Sequence, residues 1–492
     1  MLNMKRFNIP KEILGVTETL QKAGFEAYLV GGCIRDLFMD KKPKDWDITT
    51  NVTPEEIQKL FPNTFYENDY GTVGVVNEEV KDETLKVVEV TPYRIEEKYS
   101  DKRRPDKVTF SKKLEDDLKR RDFTVNAIAY DPLNHDMFDF FRGEQDLQDK
   151  TIRAVGIARE RFDEDALRIM RAVRLATELG FAIETDTSDA IKKHAPNLKK
   201  IAIERIREEF SRMIMSPRPM EGIISMHEHG ILAHIMPEVE IGIGVEQNGD
   251  HIYDVWEHIL RAVQHSADRD WPLHVRLAAL FHDVSKPETR RFLKEKDDWT
   301  FYGHDVVGRR VTRNILKRLK YSKEIIDTVS NLVRWHLFFS DIDKITLSAV
   351  RRLVRNVGPD NVWDLMKVRA CDRIGMGRPK EKPYRLRKYE SMIEEASRAP
   401  VTVGMLKIDG DTIMKLTKEK PGPRMGWILH ALLEEVLDDP KQNTKKHLAE
   451  KVKELSKLND KELKTIGEKG KLKKEAEEDK EIKKIRERHW VK

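Results

Sequence analysis

Along residues 11–23, Ile13, Leu14, Thr17 and Leu20 recur at helical spacing between charged and polar positions. That period predicts a short amphipathic helix. An apolar strand is expected next, from Ala27 to Val30, followed by Gly31-Gly32 and a second helical stretch from Ile34. From 45 to 140 the pattern shortens to β-rich runs such as Gly74-Val75-Val76 and Leu85 to Val90, broken by charged loops. Helices alternating with short strands over 1–150 predict a small mixed α/β domain. Residues 151–240 read almost entirely as helix. Residues 241–375 are helical as well, and they hold seven of the 15 histidines. A further helical domain spans 376–440 and ends near Pro440. The last segment, 441–492, is rich in Lys and Glu with few large apolar residues, which predicts a charged extension, either a solvated helix or a disordered one. There is no repeat of fixed period.

At 492 residues the chain has room for about three or four domains. Charge changes the picture at one end. The whole carries 91 Lys and Arg against 86 Asp and Glu, a net +5, and 441–492 alone holds 18 against 11. The first 440 residues keep 73 against 75, so a nucleic-acid contact in the body needs local basic patches. Hydrophobic residues make up 39%, enough for real cores over the first 440 positions. The last fifty are expected to build none. Cys33 and Cys371 alone make neither a disulfide framework nor a cysteine zinc site, which points to a reducing compartment. The start, MLNMKRFNIPKEI, lacks the apolar run of a signal peptide, and no run of about 18 apolar residues exists to cross a membrane. A soluble, cytoplasmic, multidomain protein is expected.

Candidate chemistry begins at Leu29-Val30-Gly31-Gly32-Cys33-Ile34-Arg35-Asp36, where two glycines join strand to helix. Glycine there lets the backbone approach a ligand closely, and the helix start offers N–H groups to a phosphate, with Arg35 as a fork donor one turn in. A tight turn alone accounts for the same residues. Ten residues beyond Arg35 comes Asp45-Trp46-Asp47-Ile48. On a strand, Asp45 and Asp47 share one face while Trp46 and Ile48 enter the core. Two carboxylates so close repel unless a cation lies between them, which suits Mg²⁺; two solvated aspartates in a loop are the alternative. A second apolar strand, Val87-Val88-Glu89-Val90-Thr91, contains one acid. Glu89 is either a surface residue of an edge strand or a third metal-directed carboxylate. Three acids on neighbouring strands beside a Gly-Gly turn suggest two-metal phosphoryl or nucleotidyl transfer.

A second constellation holds Arg120-Arg121 and, further on, Asp165, Arg168, Arg171 and Arg174. The last four step by three along a helix, so neighbours touch while the row winds round, and Asp165 and Arg174 fall on nearly opposite sides. The Asp165/Arg168 pair can serve one base. Cytosine and adenine each present an amino donor beside a ring-nitrogen acceptor, which Asp and Arg match; guanine and uracil present the reverse and leave both unpaired. The alternative is an i,i+3 surface ion pair worth about 0.2–0.5 kcal/mol.

The strings LVGGCIRD, DWDITT, VEVTPYR, RRPDKVTF, RRDFTVNAIAYDP, RFDEDALRIMRAVRLATELGF and ERIREEF follow one another over residues 27–210. In that order they closely resemble the motifs of class II tRNA nucleotidyltransferases, the CCA-adding enzymes of the polymerase-beta-type superfamily. The resemblance implies an α/β head of polymerase-beta-type nucleotidyltransferase fold, then an all-α neck and body and an α-helical tail, in a seahorse shape along which the tRNA acceptor arm lies. It implies that Asp45 and Asp47 are catalytic and hold Mg²⁺, and that Gly32, Arg35 and Arg121 contact the nucleotide. Asp165 and Arg168 would read the base, with Arg171 and Arg174 completing the pocket. Tyr99 to Thr109 resembles the family's flexible loop, which helps the switch from C to A addition. Bacterial poly(A) polymerases, and enzymes adding only CC or only the final A, share nearly all these motifs.

Further on lie His258, the doublet His282-Asp283 closing the apolar run Val275 to Phe281, then His304, His336 and Asp372. Neutral imidazoles with carboxylates make a mixed N/O site for Mn²⁺, Fe²⁺, Ni²⁺ or Mg²⁺, and six such groups suffice for one or two ions. HIYDVWEHIL, RLAALFHDVSKP, FYGHDVVG, VRWHLF and RACDRIG resemble the HD phosphohydrolase domain. That resemblance implies a minimal ligand set of His258, His282, Asp283 and Asp372 and hydrolysis of phosphomonoesters or 2′,3′-cyclic phosphates. A helical domain with an idle metal site is the other reading. His251, His265 and His274 are expected at the surface. RNA adhesion through phosphate contacts is the alternative to a merely solvated tail.

These expectations converge on template-independent addition and repair of the 3′-terminal CCA of tRNA from CTP and ATP, with release of pyrophosphate. The competing readings are a poly(A) polymerase or partial CCA enzyme, an HD metal phosphohydrolase with a vestigial head, and a non-catalytic RNA-binding protein.

Overall fold

The computed structural model describes residues 6–67, 71–78, 80–97, 107–249, 251–295, 297–338, 344–398, 403–418 and 420–491. Helix α1 (Lys11–Lys22) buries Ile13, Val16, Thr17 and Leu20, close to the face its period predicts. After it come β1 (Ala27–Val30), α2 (Gly32–Phe38), β2 (Asp47–Thr50), α3 (Pro54–Leu60), β3 (Thr64–Tyr66), β4 (Val73–Val76) and β5 (Val87–Pro92). Helix α3 starts where Thr53 accepts the Glu56 N–H while the Glu56 side chain returns to the Thr53 N–H, with Pro54 in the first turn. A ribbon of β6 (Arg94–Glu97) and β7 (Lys107–Phe110), then α4 (Leu114–Lys119), β8 (Ala129–Tyr130) and β9 (Met137–Phe138), complete the head.

Seven of these strands form one sheet in the order β3-β4-β5-β2-β1-β8-β9, with β2 and β5 parallel and the other neighbours antiparallel. Register decides what the sheet can do. Val30, Asp47, Glu89, Gly74 and Phe65 stand in one row across five strands. The next row, Leu29, Ile48, Val90 and Val73, is fully buried. Side chains alternate between faces, so the apolar row and the acidic row occupy opposite sides of the same sheet. Part of the acidic side is roofed by α4: Val30, Tyr93, Leu114, Leu118 and Ala129 pack together, and the Thr49 hydroxyl donates to Asp117 Oδ2 at 3.0 Å.

Helices α5 (Gly143–Gln148), α6 (Ala158–Glu164), α7 (Leu167–Leu179), α8 (Thr185–His194), α9 (Ile203–Ile214) and α10 (Pro219–Glu228) follow, as the helical period predicts. A small parallel pair, Thr151–Ile152 with Ala182–Ile183, interrupts them. Longer helices over Val255–Asp268, Leu273–Phe281, His304–Arg318 and Lys323–Trp335 build the histidine-bearing region. One hairpin there, Arg291–Leu293 with Asp298–Thr300, departs from the all-helical expectation; it is clasped by the edge-on Phe292 and Trp299 rings, 5.3 Å apart. No helix among the described residues is long and apolar enough to cross a membrane.

The chain divides into two compact units, Met1–His336 with Lys367–Pro379, and Leu337–Met366 with Lys380–Lys492. In the second unit Leu448, Val452 and Leu463 are fully buried with Ile428 and Leu432. The last fifty residues therefore contribute to a core, which corrects the expectation drawn from their composition. Glycine explains how so polar a helix docks. A Cβ at Gly467 would lie 2.6 Å from Trp427 Cα, and one at Gly470 2.4 Å from the His430 carbonyl oxygen, so the Asp460–Arg488 helix rests directly on the backbone of Pro423–Asp438.

Candidate active site and a histidine–aspartate cluster

Strand β2 begins at Asp47, and Asp45 sits exposed in the bend before it. The expectation that both aspartates lie on the strand is corrected: β1 pairs with β2 only up to Val30 opposite Asp47, and then turns away at Gly31. Trp46 and Ile48 enter the core as predicted. Gly31 has φ of 83°, and a Cβ there would meet Asp47 Oδ2 at 3.0 Å and Arg121 Nη1 at 3.2 Å, so both the turn and the close approach call for glycine. Beside Gly32, the Arg35 guanidinium donates to Asp36 Oδ1 at 2.9 and 2.7 Å and to Asn126 Oδ1 at 2.9 Å. Arg121 Nη2 donates to Asp117 Oδ2 at 3.2 Å.

Glu89 lies directly across from Asp47 on β5, an interior strand, which removes the edge-strand reading. Burial, reinforced by Asp47, Glu67 and Asp45, pushes its carboxyl up to about 7. Burial and Asp45 likewise push Asp47 up to about 6, against the pull of Arg121 and Arg35. Neighbouring acids displaced upward mark a place where negative charge exceeds what the chain neutralises. Hard oxygen donors in such a place fit a divalent cation. A cleft of about 420 Å³ opens here, with Gly32, Arg35, Asp45 and Asp47 on one side and Glu178 and Arg212 on the other.

The neck arginines prove to be held by acids. Asp165 is extended, with φ of −136°, at the break between α6 and α7, where its Oδ1 caps the Leu167 N–H at 2.9 Å and its Oδ2 accepts from Arg205 at 3.0 Å. Arg168 donates to Glu164 at 2.6 Å and to the carbonyls of Arg161 and Arg120 at 3.2 and 3.1 Å. The continuous helix expected from Asp165 to Arg174 is thus corrected to one starting at Leu167, because the Asp165 side chain caps the Leu167 N–H and its carbonyl accepts from the Arg168 N–H. The i,i+3 pair between Asp165 and Arg168 is replaced by separate partners. Arg171 donates to Asp122 at 2.7 Å and holds that buried acid down to about 2. Arg174, itself buried, donates to Glu209 at 2.5 Å and Glu178 at 2.8 Å. Sequence reasoning missed Arg205, Glu209 and Asp122, although the strings ERIREEF and RRDFTVNAIAYDP contain them. Of Tyr99 to Thr109, residues 99–106 lie outside the described residues, and the rest begin β7.

All six expected groups of the second constellation converge. His258, His282, Asp283 and Asp372 place donor atoms within 4.8 Å of one another, and so do Asp283, His304 and His336; Asp283 belongs to both groups. Nδ1 of His282, His304 and His336 donates to the carbonyls of Ala279, Phe301 and Val333 at 2.8, 2.6 and 2.7 Å. That fixes each Nε2 toward the centre. Asp283 Oδ1 faces His304 Nε2 at 3.2 Å and His336 Nε2 at 3.4 Å, and all three buried atoms lack a hydrogen bond. Burial lowers His336, so its Nε2 turns a lone pair toward the carboxylate, an arrangement a cation would relieve. Against burial, Asp283 and Asp372 hold His282 up to about 10. Burial alone would raise Asp283, yet His282 and Lys286 hold it well below the usual carboxylate range; Arg369 and His282 do the same for Asp372. Lys286, buried, reaches Asp283 Oδ2 at 2.6 Å and Gln247 at 2.5 Å. It was missed, though its i,i+3 spacing from Asp283 was visible. His251, His265 and His274 are half-buried, against expectation. The His251 ring stands edge-on to His258 at 5.1 Å, and burial with Lys286 and His258 lowers it to about 3.

Sheet, acidic row and histidine cluster together define a nucleotidyltransferase head joined to a helical metal-binding domain. Residues 27–153 match the Poly A polymerase head domain, 180–241 the probable RNA and SrmB-binding site of polymerase A, and 249–377 the HD domain. The chain is 33% identical over 427 residues to a CCA-adding enzyme of Lactiplantibacillus plantarum, covering 86% of this chain and 90% of that protein. The crystal structure of Bacillus stearothermophilus CCA-adding enzyme in complex with CTP is similar at a TM-score of 0.58 and 27% identity, covering 90% of this chain and 96% of that one. A Thermotoga maritima CCA-adding enzyme complexed with tRNA shares the fold at a TM-score of 0.51 and 17% identity, covering 91% and 96%. The chain belongs to the CCA-adding enzymes, RNA nucleotidyltransferases whose head and HD domains imply the use of divalent metal.

Proposed function

We propose that this chain builds and repairs the 3′-terminal CCA of tRNA from CTP and ATP, releasing pyrophosphate, at the row formed by Asp47 and Glu89. The observation that carries this reading is their direct pairing across β2 and β5 beside the Gly31 turn, with both carboxyls displaced upward. Asp45, Asp47 and Glu89 would hold Mg²⁺, which would supply Lewis acidity to the 3′-hydroxyl and neutralise the triphosphate. Arg35 and Arg121, fixed by Asp36, Asn126 and Asp117, bind and orient the phosphates beside Gly32. Asp165 accepts from the base amine while Arg168 donates to the ring nitrogen. Arg205 holds the Asp165 carboxylate in place through its Oδ2. Arg171 and Arg174, tied to Asp122, Glu209 and Glu178, position the pocket wall. A cytoplasmic setting follows from tRNA as substrate.

The test is extension of a tRNA transcript lacking CCA with labelled CTP alone, ATP alone, and both. Two C residues with CTP, and a stop after one A with both, are expected. Long A tracts from ATP alone would move the chain to the poly(A) polymerases.

The inward-facing Nε2 atoms of His304 and His336 against Asp283 Oδ1 favour a second activity, a metal-dependent phosphohydrolase on phosphomonoesters or 2′,3′-cyclic phosphates. Mn²⁺, Fe²⁺, Ni²⁺ and Mg²⁺ all suit this mixed N/O set. Metal analysis, and opening of a 2′,3′-cyclic nucleotide to its 2′- or 3′-monophosphate lost in Asp283→Asn, would establish it.

A further inference from the structure

The row that carries Asp47 and Glu89 continues past them. Glu89 is paired with Gly74, and Gly74 with Phe65. Directly opposite residues project from one face of a sheet. Gly74 therefore leaves bare backbone beside the Glu89 carboxylate, and the Phe65 ring folds over it: a Cβ at Gly74 would lie 2.5 to 3.0 Å from three ring carbons. An aromatic ring laid over a strand glycine covers backbone, and that is a structural use in its own right. Yet 41% of this residue remains exposed, on the face where the acids stand.

Placement says what such a surface would meet. Gly32, Arg35 and Arg121 lie on the β1 side of Asp47, so Glu89 stands between the phosphate-binding groups and the Phe65 ring. Adjacent strands are about 4.8 Å apart, which puts a ring over β4 roughly one strand spacing from Glu89. A ribose spans a comparable distance between its 3′-hydroxyl and its base. The 3′-terminal base changes after each addition, so a site that holds it must accept any base. Stacking does so, because every base has a π-face.

We propose that Phe65, seated on Gly74, is the platform on which the 3′-terminal base of the RNA stacks, a positioning residue that sets the attacking hydroxyl beside Glu89 and Asp47. This rests on the head being the site of tRNA extension. The experiment compares wild type, Phe65→Leu and Phe65→Trp on two tRNA transcripts lacking CCA, one intact and one abasic at its 3′-terminal nucleotide. For Phe65→Leu, KM for the intact tRNA should rise about tenfold with KM for CTP unchanged, while Phe65→Trp stays near wild type. The abasic RNA should cost wild type a similar factor and Phe65→Leu nothing further. Equal KM values for Phe65→Leu and wild type, parallel losses for CTP and tRNA, or multiplying losses with the abasic RNA would overturn the proposal. Absence of extension by wild type would instead overturn the reading beneath it.

Discussion

Asp47 and Glu89 in the head are half-buried and Asp283 and Asp372 in the histidine cluster are buried, yet the two pairs of carboxyls are displaced in opposite directions. In the head, burial and the surrounding acids win, and the two carboxyls rise to about 6 and about 7. In the cluster, Lys286, Arg369 and the imidazoles win, and both acids fall well below their usual range. The contrast separates two kinds of candidate metal site. The cluster carries built-in cations, Lys286 and Arg369, against its acids, yet leaves Asp283 Oδ1 without a hydrogen bond. The head keeps an excess of negative charge that cations arriving with a triphosphate would complete, which would tie its charge balance to its substrate.

The largest effect that would break this contrast is on turnover. Glu89→Gln should lower the rate of CTP incorporation by about a hundredfold or more, with KM for CTP little changed, in steady-state extension assays. A variant with wild-type kcat would return Glu89 to a bystander. Next in size, Lys286→Met should cost about 3–5 kcal/mol in urea unfolding with a chelator present, because it strips a buried cation from Asp283; added Mn²⁺ should recover part of the loss. The third effect is a pH signature with opposite signs in the two places. A carboxyl raised in the fold favours folding while protonated, so the head's contribution is present below about pH 4 and is lost as pH rises through 6 and 7. Mg²⁺ should therefore raise the melting temperature at pH 7.5 and have little effect at pH 5. The depressed carboxyls of the cluster contribute above their ordinary range and lose that contribution as the solution is acidified below about pH 4. The smallest effect concerns Asp165, whose Oδ2 accepts from Arg205. Arg205→Gln should relax the preference for CTP over UTP by about tenfold, measured as a ratio of kcat/KM.

Much of this was legible in the chain. The Gly-Gly turn, the alternation Asp-Trp-Asp-Ile and the apolar strand around Glu89 stated which residues belong together, because side-chain period in a strand is strict. What they left open was pairing. That Glu89 falls opposite Asp47, and Phe65 opposite Gly74, is a matter of register between segments far apart in sequence. Nothing local announces that β1 turns away one residue too soon, so the alternation alone extends the strand back to Asp45. The spacing alone carries the helix through Asp165, because the capping bond that breaks it depends on a side-chain rotamer. In the cluster the six ligand-type residues were visible from their identity, whereas Lys286 looked like any helical lysine until folding buried it. The tail misled for the same reason: Leu448, Val452 and Leu463 are sparse in sequence, and two glycines bring the backbones close enough for so few to suffice.

The most direct test of the division of labour sets wild type, Asp47→Asn and Asp283→Asn side by side on a tRNA transcript lacking CCA, with labelled CTP and ATP together. The account predicts three added nucleotides ending in A for wild type and for Asp283→Asn, and none for Asp47→Asn. Extension that survives Asp47→Asn, or disappears in a folded Asp283→Asn protein, would contradict it.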